Sequence, residues 1–216
     1  MVVITDSGHG GLDGGATANG IREAEFALEV SKLVAAGIRA CGVHVRLTRT
    51  DDSTLLAAKR SELITQPASC VVSIHANAHT GTEARGHEVF GSAFFAPSLE
   101  LAWAISDELT ERTPLPPRNP RVKTRTTVDG LSDYYYVIRH PARASIPGVL
   151  VECGFVTNAE DAQYMRTFWG RFAIAYAISK GVLRWLGVPD ISDLQGKVAT
   201  ANERLANIRA LAAQEV

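Results

Sequence analysis

The chain has 216 residues, 46% of them hydrophobic and 21% charged, with a formal net charge of −1. That is the size and composition of one globular domain with a substantial core and a short appendage. The balanced charge gives no electrostatic ground for nucleic acid as a partner. No apolar run approaches the roughly 20 residues of a membrane helix, so membrane insertion is not expected.

The chain opens on "VVITD" (2–6), which predicts a buried strand, followed by a Gly-rich loop through Gly20. Because this strand begins at Val2, no secretory leader is expected: synthesis in the cytoplasm, or a leader removed from a longer precursor, are the two readings. Phe26, Val30, Leu33, Val34 and Ile38 recur at helical spacing, predicting a helix from Glu23 to about Cys41. Gly42 breaks it, and "VHVRLT" (43–48) alternates as a half-buried strand does. A second helix is predicted over Thr54–Gln66, stopped by Pro67. "CVVSIHA" (70–76) and "HEVFG" (87–91) read as strands, and residues 97–112 as a helix.

The stretch 113–130 is Pro-rich and basic and reads as a long surface loop. "YYYVIRH" and "GVLVECGF" are the last strand candidates; "NAEDAQYM" and Phe168–Leu186 supply the last helices. Strands alternating with helices imply an α/β fold with a mainly parallel sheet, whose chemistry gathers at the carboxyl ends of the strands. The three cysteines are odd in number and lack C-x-x-C spacing, so buried thiols are expected.

Pro189 separates a domain over residues 1–188 from a C-terminal segment, 189–216, in which Ser192 and Gln195 are spaced as a capping box. Leu194, Val198, Ala201, Leu205, Ile208 and Ala212 then recur at steps of four and three, the spacing of a short coiled coil. Two fates are open to such a helix: pairing with a second copy as a homodimer, or docking on its own domain.

Three predicted strand ends carry polar groups that a buried strand does not ordinarily keep: His9 in "DSGHGG", His75 in "SIHANA" and Glu152 in "VLVECGF". Glu23 opens the first helix, two residues before Glu25. Two imidazoles and one carboxylate are what a catalytic zinc takes from protein, with the fourth position left to water. A further carboxylate off the metal is what hydrolysis needs as a general base. Each residue also has a plainer reading: a hydrogen-bonded histidine, an acid at a helix N-terminus, a salt-bridged core carboxylate. The glycines around His9 are read as leaving space for a substrate.

Taken in order, "DSGHGGLDGGA", "NGIREAE", "VRLTRTDD", "LAAKR", "VVSIHANA", "GHEVF" and "GVLVECGFVTN" resemble the motifs of the zinc-dependent N-acetylmuramoyl-L-alanine amidases of the amidase-3 type, from residue 2 to about 186. The resemblance implies a twisted six-stranded sheet flanked by helices. It also implies hydrolysis of the amide joining the lactyl group of N-acetylmuramic acid to L-alanine, with peptidoglycan as partner. Position by position, it places the ligands of one zinc per chain on His9, Glu23 and His75, and the catalytic glutamate on Glu152. Glu152 would then take the attacking water's proton and return it to the departing amine. Ser7 stands where the family motif has proline, which should loosen the turn. Glu25 remains a rival ligand to Glu23.

Two other functions stay open: a metal-dependent peptidase acting on wall peptides, and a non-catalytic wall-binding or regulatory protein on the same fold. "HGG" also resembles an esterase oxyanion loop, but no G-x-S-x-G supplies a serine, and a Cys153 nucleophile should face away from Glu152. His79 and His87 are candidates for substrate contact, and His44 and His140 for structure. Arg118, Arg121, Lys123 and Arg125 could meet anionic wall groups or simply be solvated. With no leader expected, a phage endolysin and a truncated bacterial autolysin are the alternatives of origin.

Overall fold

In the computed structural model, which describes residues 1–190, the apolar run after Met1 forms a central strand, β1 (Val2–Ser7), buried from its second residue on. The Gly-rich loop that follows contains a small hairpin, β2 (Thr17–Ala18) and β3 (Ile21–Arg22), which no sequence signal announced. It delivers the chain into α1 (Glu23–Ala40), β4 (His44–Leu47), α2 (Ala57–Ile64) and β5 (Cys70–Asn77). α2 is shorter at both ends than the predicted Thr54–Gln66. Next come β6 (His87–Phe90), α3 (Ala96–Arg112), β7 (Pro117–Lys123), α4 (Tyr136–Arg143), β8 (Gly148–Phe155), α5 (Ala159–Met165) and α6 (Phe168–Leu186).

The main sheet has six strands in the order β4-β1-β5-β8-β6-β7. All neighbours are parallel except β6 and β8. The expected strand number holds, but its membership differs. "YYYVIRH" instead enters the helix α4 at Tyr136, because Val137, Ile138 and Pro141 are buried together on one helical side, where a strand would bury every second residue. Its strand-like composition yields to that packing. Part of the predicted 113–130 loop is instead β7, which can carry Pro117 and Pro120 because it lies at the sheet's outer edge, where an absent N–H costs no ladder bond.

Strand alternation divides the interior in two. Val3, Val72, Ile74, Val149, Val151 and Cys153 turn one way, into a core completed by α1, α3 and α6. Ile4, Val71, Phe90 and Leu150 turn the other way, toward Ile64 of α2 and Val137 and Ile138 of α4. The residues between these last ones, Asp6, Ser73, His75, Glu88 and Glu152, therefore share the α2/α4 face. Cys70 and Cys153 are buried as expected, whereas Cys41 is only half-buried. No described helix is long and apolar enough to cross a membrane. The predicted C-terminal helix, from residue 191 on, lies outside the described residues.

Candidate active site

His9 follows β1 with a backbone φ of 58°, an uncommon conformation for a residue with a side chain, so something must hold it there. Two buried guanidinium groups do. Arg60 on α2 donates to the carbonyls of Ser7 (2.6 Å) and His9 (2.8 Å) and pairs with the buried carboxylate of Asp6. Arg49 donates to the carbonyls of Gly8 (2.9 Å) and Ala24 (2.6 Å), tying the loop to the start of α1. Asp6 also accepts from the hydroxyls of Thr48 (2.7 Å) and Ser73 (2.6 Å), so its charge is fully partnered. The turn that Ser7 was expected to loosen is thus held from outside. Arg49, Arg60 and Asp6 lie within recognisable motifs, but only the fold reveals their task.

Glu23, the first residue of α1, is buried and turned back toward the strand ends. Its Oε1 lies 3.1 Å from Nε2 of His9 and 2.9 Å from Nδ1 of His75, and accepts from the N–H of Ala76 at 3.2 Å. Oε2 accepts from the N–H of Ala16 at 2.9 Å. Nδ1 of His9 bonds Asp13 at 2.9 Å, which fixes the ring so that Nε2 faces Glu23. Glu25 is exposed and meets only Arg22, at 3.5 Å. The convergence is therefore of His9, Glu23 and His75, without Glu25.

Gly10 and Gly11 turn the chain sharply at φ 131° and 60°, and Gly8 and Gly15 have a further use. A Cβ on Gly8 would come within 2.5 Å of the His75 ring, and one on Gly15 within 2.6 Å of Oε2 of Glu23. These two glycines make room for the converging side chains themselves.

The electrostatics suit a cation. Burial acts to raise the carboxyl of Glu23, but hydrogen bonds from His75 and His9 outweigh it and hold the group well below the usual carboxylate range. The bond to Glu23 leads in raising His9 to about 9, against its burial and with help from Asp13. The site thus draws a proton onto an imidazole where a cation could sit instead. One donor atom from each of the three residues lies within 4.8 Å of the others, a span compatible with zinc bonds of about 2.0–2.3 Å.

Glu152 stands in register with His75 on β5 and Glu88 on β6, so the three form a row across three strands. Its Oε2 is buried without a hydrogen-bond partner, an arrangement that is costly in a merely structural carboxylate. Burial is the main force pushing its pKa up to about 7; the charges of Glu23 and Glu88 add to this and His75 opposes it. His9, Glu23, His75 and Glu152 line a cleft of about 550 Å³ whose walls include Leu55, Asn77, Tyr135 and Tyr136. Sequence reasoning missed the tyrosines as cleft residues, because they were assigned to a strand.

Neither His79 nor His87 lines this cleft. His87 is fully buried and bonded to the carbonyl of Leu115 at 3.1 Å, so it cannot meet substrate. His79 is exposed and accepts from the N–H of Gly81 at 3.0 Å. The basic residues of 113–130 are largely engaged within the protein. Arg118 (3.1 Å) and Lys123 bind Glu88, Arg121 binds Asp107 (2.6 Å), and Arg125 stacks 3.9 Å over Tyr134. Cys153 faces the opposite side of the sheet from Glu152, and burial raises its thiol well above the ordinary value.

Residues 2–184 match the family model described as N-acetylmuramoyl-L-alanine amidase. Among curated proteins, the chain is 31% identical to the N-acetylmuramoyl-L-alanine amidase LytC of Bacillus subtilis, over 85% of this chain but 35% of that protein. It is 30% identical to the N-acetylmuramoyl-L-alanine amidase AmiA of Salmonella typhimurium, over 85% of this chain and 75% of that one. Among solved structures it is similar to the CwlD amidase of Clostridioides difficile, determined in complex with the GerS lipoprotein. The TM-score is 0.76 at 29% identity, covering 86% of this chain and 98% of CwlD.

Proposed function

The chain belongs to the N-acetylmuramoyl-L-alanine amidase family, and from that membership we propose that it hydrolyses the amide between the lactyl group of N-acetylmuramic acid and L-alanine in peptidoglycan. The observation that carries the proposal is the convergence of His9, Glu23 and His75 beside an unpartnered carboxylate, Glu152, one strand away. The donor set fits one zinc per chain, which His9, Glu23 and His75 would hold. When bound, zinc supplies Lewis acidity, polarising the substrate carbonyl and making the attacking water more acidic.

The protein's own groups do the rest. Glu152, its pKa lifted toward neutrality by burial, is suited to take a proton from water at one oxygen and later release it to the amine of L-alanine. Asp13 orients His9, and Arg49 and Arg60 hold the backbone that carries it. Tyr135 and Tyr136 form a wall against which the glycan or the stem peptide can rest. The relatives named above belong to bacteria, which favours a bacterial wall enzyme over a phage endolysin.

The test is product analysis of purified sacculi digested by the zinc-loaded protein. New L-alanine amino groups, with glycan strands released free of peptide, are expected. Cleavage between amino acids would favour the peptidase reading. Binding without any product, by a protein that has taken up zinc, would favour the non-catalytic one.

A further inference from the structure

Between β7 and α4 the chain makes a narrow loop that closes on itself. The N–H of Tyr134 donates to the carbonyl of Arg125 (2.8 Å) and that of Thr127 to the carbonyl of Ser132 (2.8 Å), while Thr126 and Asp133 form an isolated bridge. The buried carboxylate of Asp133 pins this loop just beyond β6, accepting from the hydroxyl of Ser92 (2.6 Å) and the N–H of Ala93 (2.8 Å). The base of the loop is therefore fixed, and it sets Arg125 beside Tyr134 and Tyr135.

Arg125 differs from the other cations of this stretch. Arg118 and Lys123 are paired with Glu88 and Arg121 with Asp107, whereas Arg125 forms no ion pair among the described residues. Its neighbours are rings. The guanidinium carbon lies 3.9 Å from the centre of Tyr134 and 5.7 Å from that of Tyr135, and one N–H reaches the hydroxyl of Tyr135 at 3.3 Å. The rings brace one another in turn: Tyr134 meets Tyr135 edge-on at 5.2 Å, and Tyr135 meets the buried Phe90 at 5.1 Å. Stacking occupies the face of a guanidinium and leaves the N–H groups around its edge, which are the ones that grip a carboxylate in pairs. Rings and loop together restrict the side chain before any ligand arrives, so less freedom is lost on binding.

Tyr135 lines the same cleft as Glu152, so the guanidinium stands one hydrogen bond outside the cleft wall. On the amidase reading above, on which this inference rests, the charge of the substrate is easily located. The lactyl carboxyl is tied up in the amide that is cleaved, and the N-acetylated sugar carries no other acid. The carboxylates of a muropeptide therefore lie on its peptide. We propose that Arg125 is a specificity residue that binds a carboxylate of the peptide beyond L-alanine, which puts the peptide on the Tyr135 side of the cleft.

The experiment uses the zinc-loaded full chain and four soluble compounds: N-acetylmuramoyl-L-alanyl-glutamate, its two monoamides and its diamide. For the wild type, kcat/KM for the diacid should exceed that for the diamide by about ten-fold, with the difference in KM. The monoamide that keeps this advantage identifies which of the two carboxylates is held. In Arg125→Gln the ratio should fall to about one, and in Arg125→Lys, which keeps the charge without the stacked fork, to an intermediate value. A purely structural role would slow all four compounds by one factor and preserve the ratio. That result would overturn the proposal, as would a wild type without preference. If the wild type cleaves none of the four, the same ratio taken from their dissociation constants by calorimetry decides the role of Arg125. The amidase reading falls separately, and only if sacculi also yield no product.

Discussion

Replacing Arg60 with alanine removes the guanidinium that pairs with Asp6 and holds the carbonyls of Ser7 and His9. The side chains of Arg60 and Asp6 are 4% and 0% exposed, so water cannot take the lost partner's place without opening the fold. Removing one member of a buried pair costs about 3–5 kcal/mol. Asp6 keeps its bonds from Thr48 and Ser73, which puts the expected loss near the lower limit, about 3 kcal/mol. In a domain of this size that lowers Tm by roughly 6–12 °C. Arg60→Lys, which restores the charge but not the fork reaching both carbonyls, should fall between variant and wild type. Calorimetry of the metal-free proteins gives the comparison without a contribution from zinc. A drop of under about 2 °C for Arg60→Ala would refute the reasoning, since it would mean that Asp6 is readily solvated and the loop before His9 is held by something else.

Glu152→Gln should keep full zinc occupancy by metal analysis while turnover on muropeptides falls by about 100-fold or more, because the amide cannot accept the proton. Glu23→Ala should leave purified protein without stoichiometric zinc, whereas Glu25→Ala should retain it; the reverse pattern would transfer ligation to Glu25. Gly8→Ala should weaken zinc binding by about 10–100-fold in a chelator competition, since the new methyl lies where the His75 ring now sits. Cys153→Ser should retain most activity in the same muropeptide assay, and complete inactivation of a folded variant would make the thiol a participant.

The elements legible in the sequence were those where local pattern and burial agree. α6 matches its predicted limits, and β1, β5 and β8 announce themselves as apolar runs. The two exchanges, α4 for a strand and β7 for a loop, have a common cause. Tyr, Val and Ile favour strands only where neighbours offer a pleated, half-buried surface to pack on, and prolines discourage strands only where a backbone N–H is needed. Those are facts about neighbours, which composition does not carry. The converging residues His9, Glu23, His75 and Glu152 were legible because chemistry-bearing side chains in apolar or glycine-rich settings are conspicuous. Their supports were not, because Arg49 and Arg60 look like ordinary surface cations until the strand ends and α2 are brought together. Asp13, too, reads as a loop acid until its bond to His9 is seen.

The prolines of β7 also bear on how these molecules behave when crowded together. A sheet's outermost strand is a template on which a neighbouring molecule can lay its own backbone, and growth by that route ends in aggregates. On the β7 side the template is interrupted at Pro117 and Pro120 and carries Arg118 and Arg121. At the opposite border β4 is only four residues long and carries Arg46, whose guanidinium is engaged with Gln66 and Pro67. Neither border offers a long, flat, uncharged row of amides. A solution of this protein concentrated against a polymeric surface should therefore stay dispersed, with contacts between molecules formed through side chains and not through added strands.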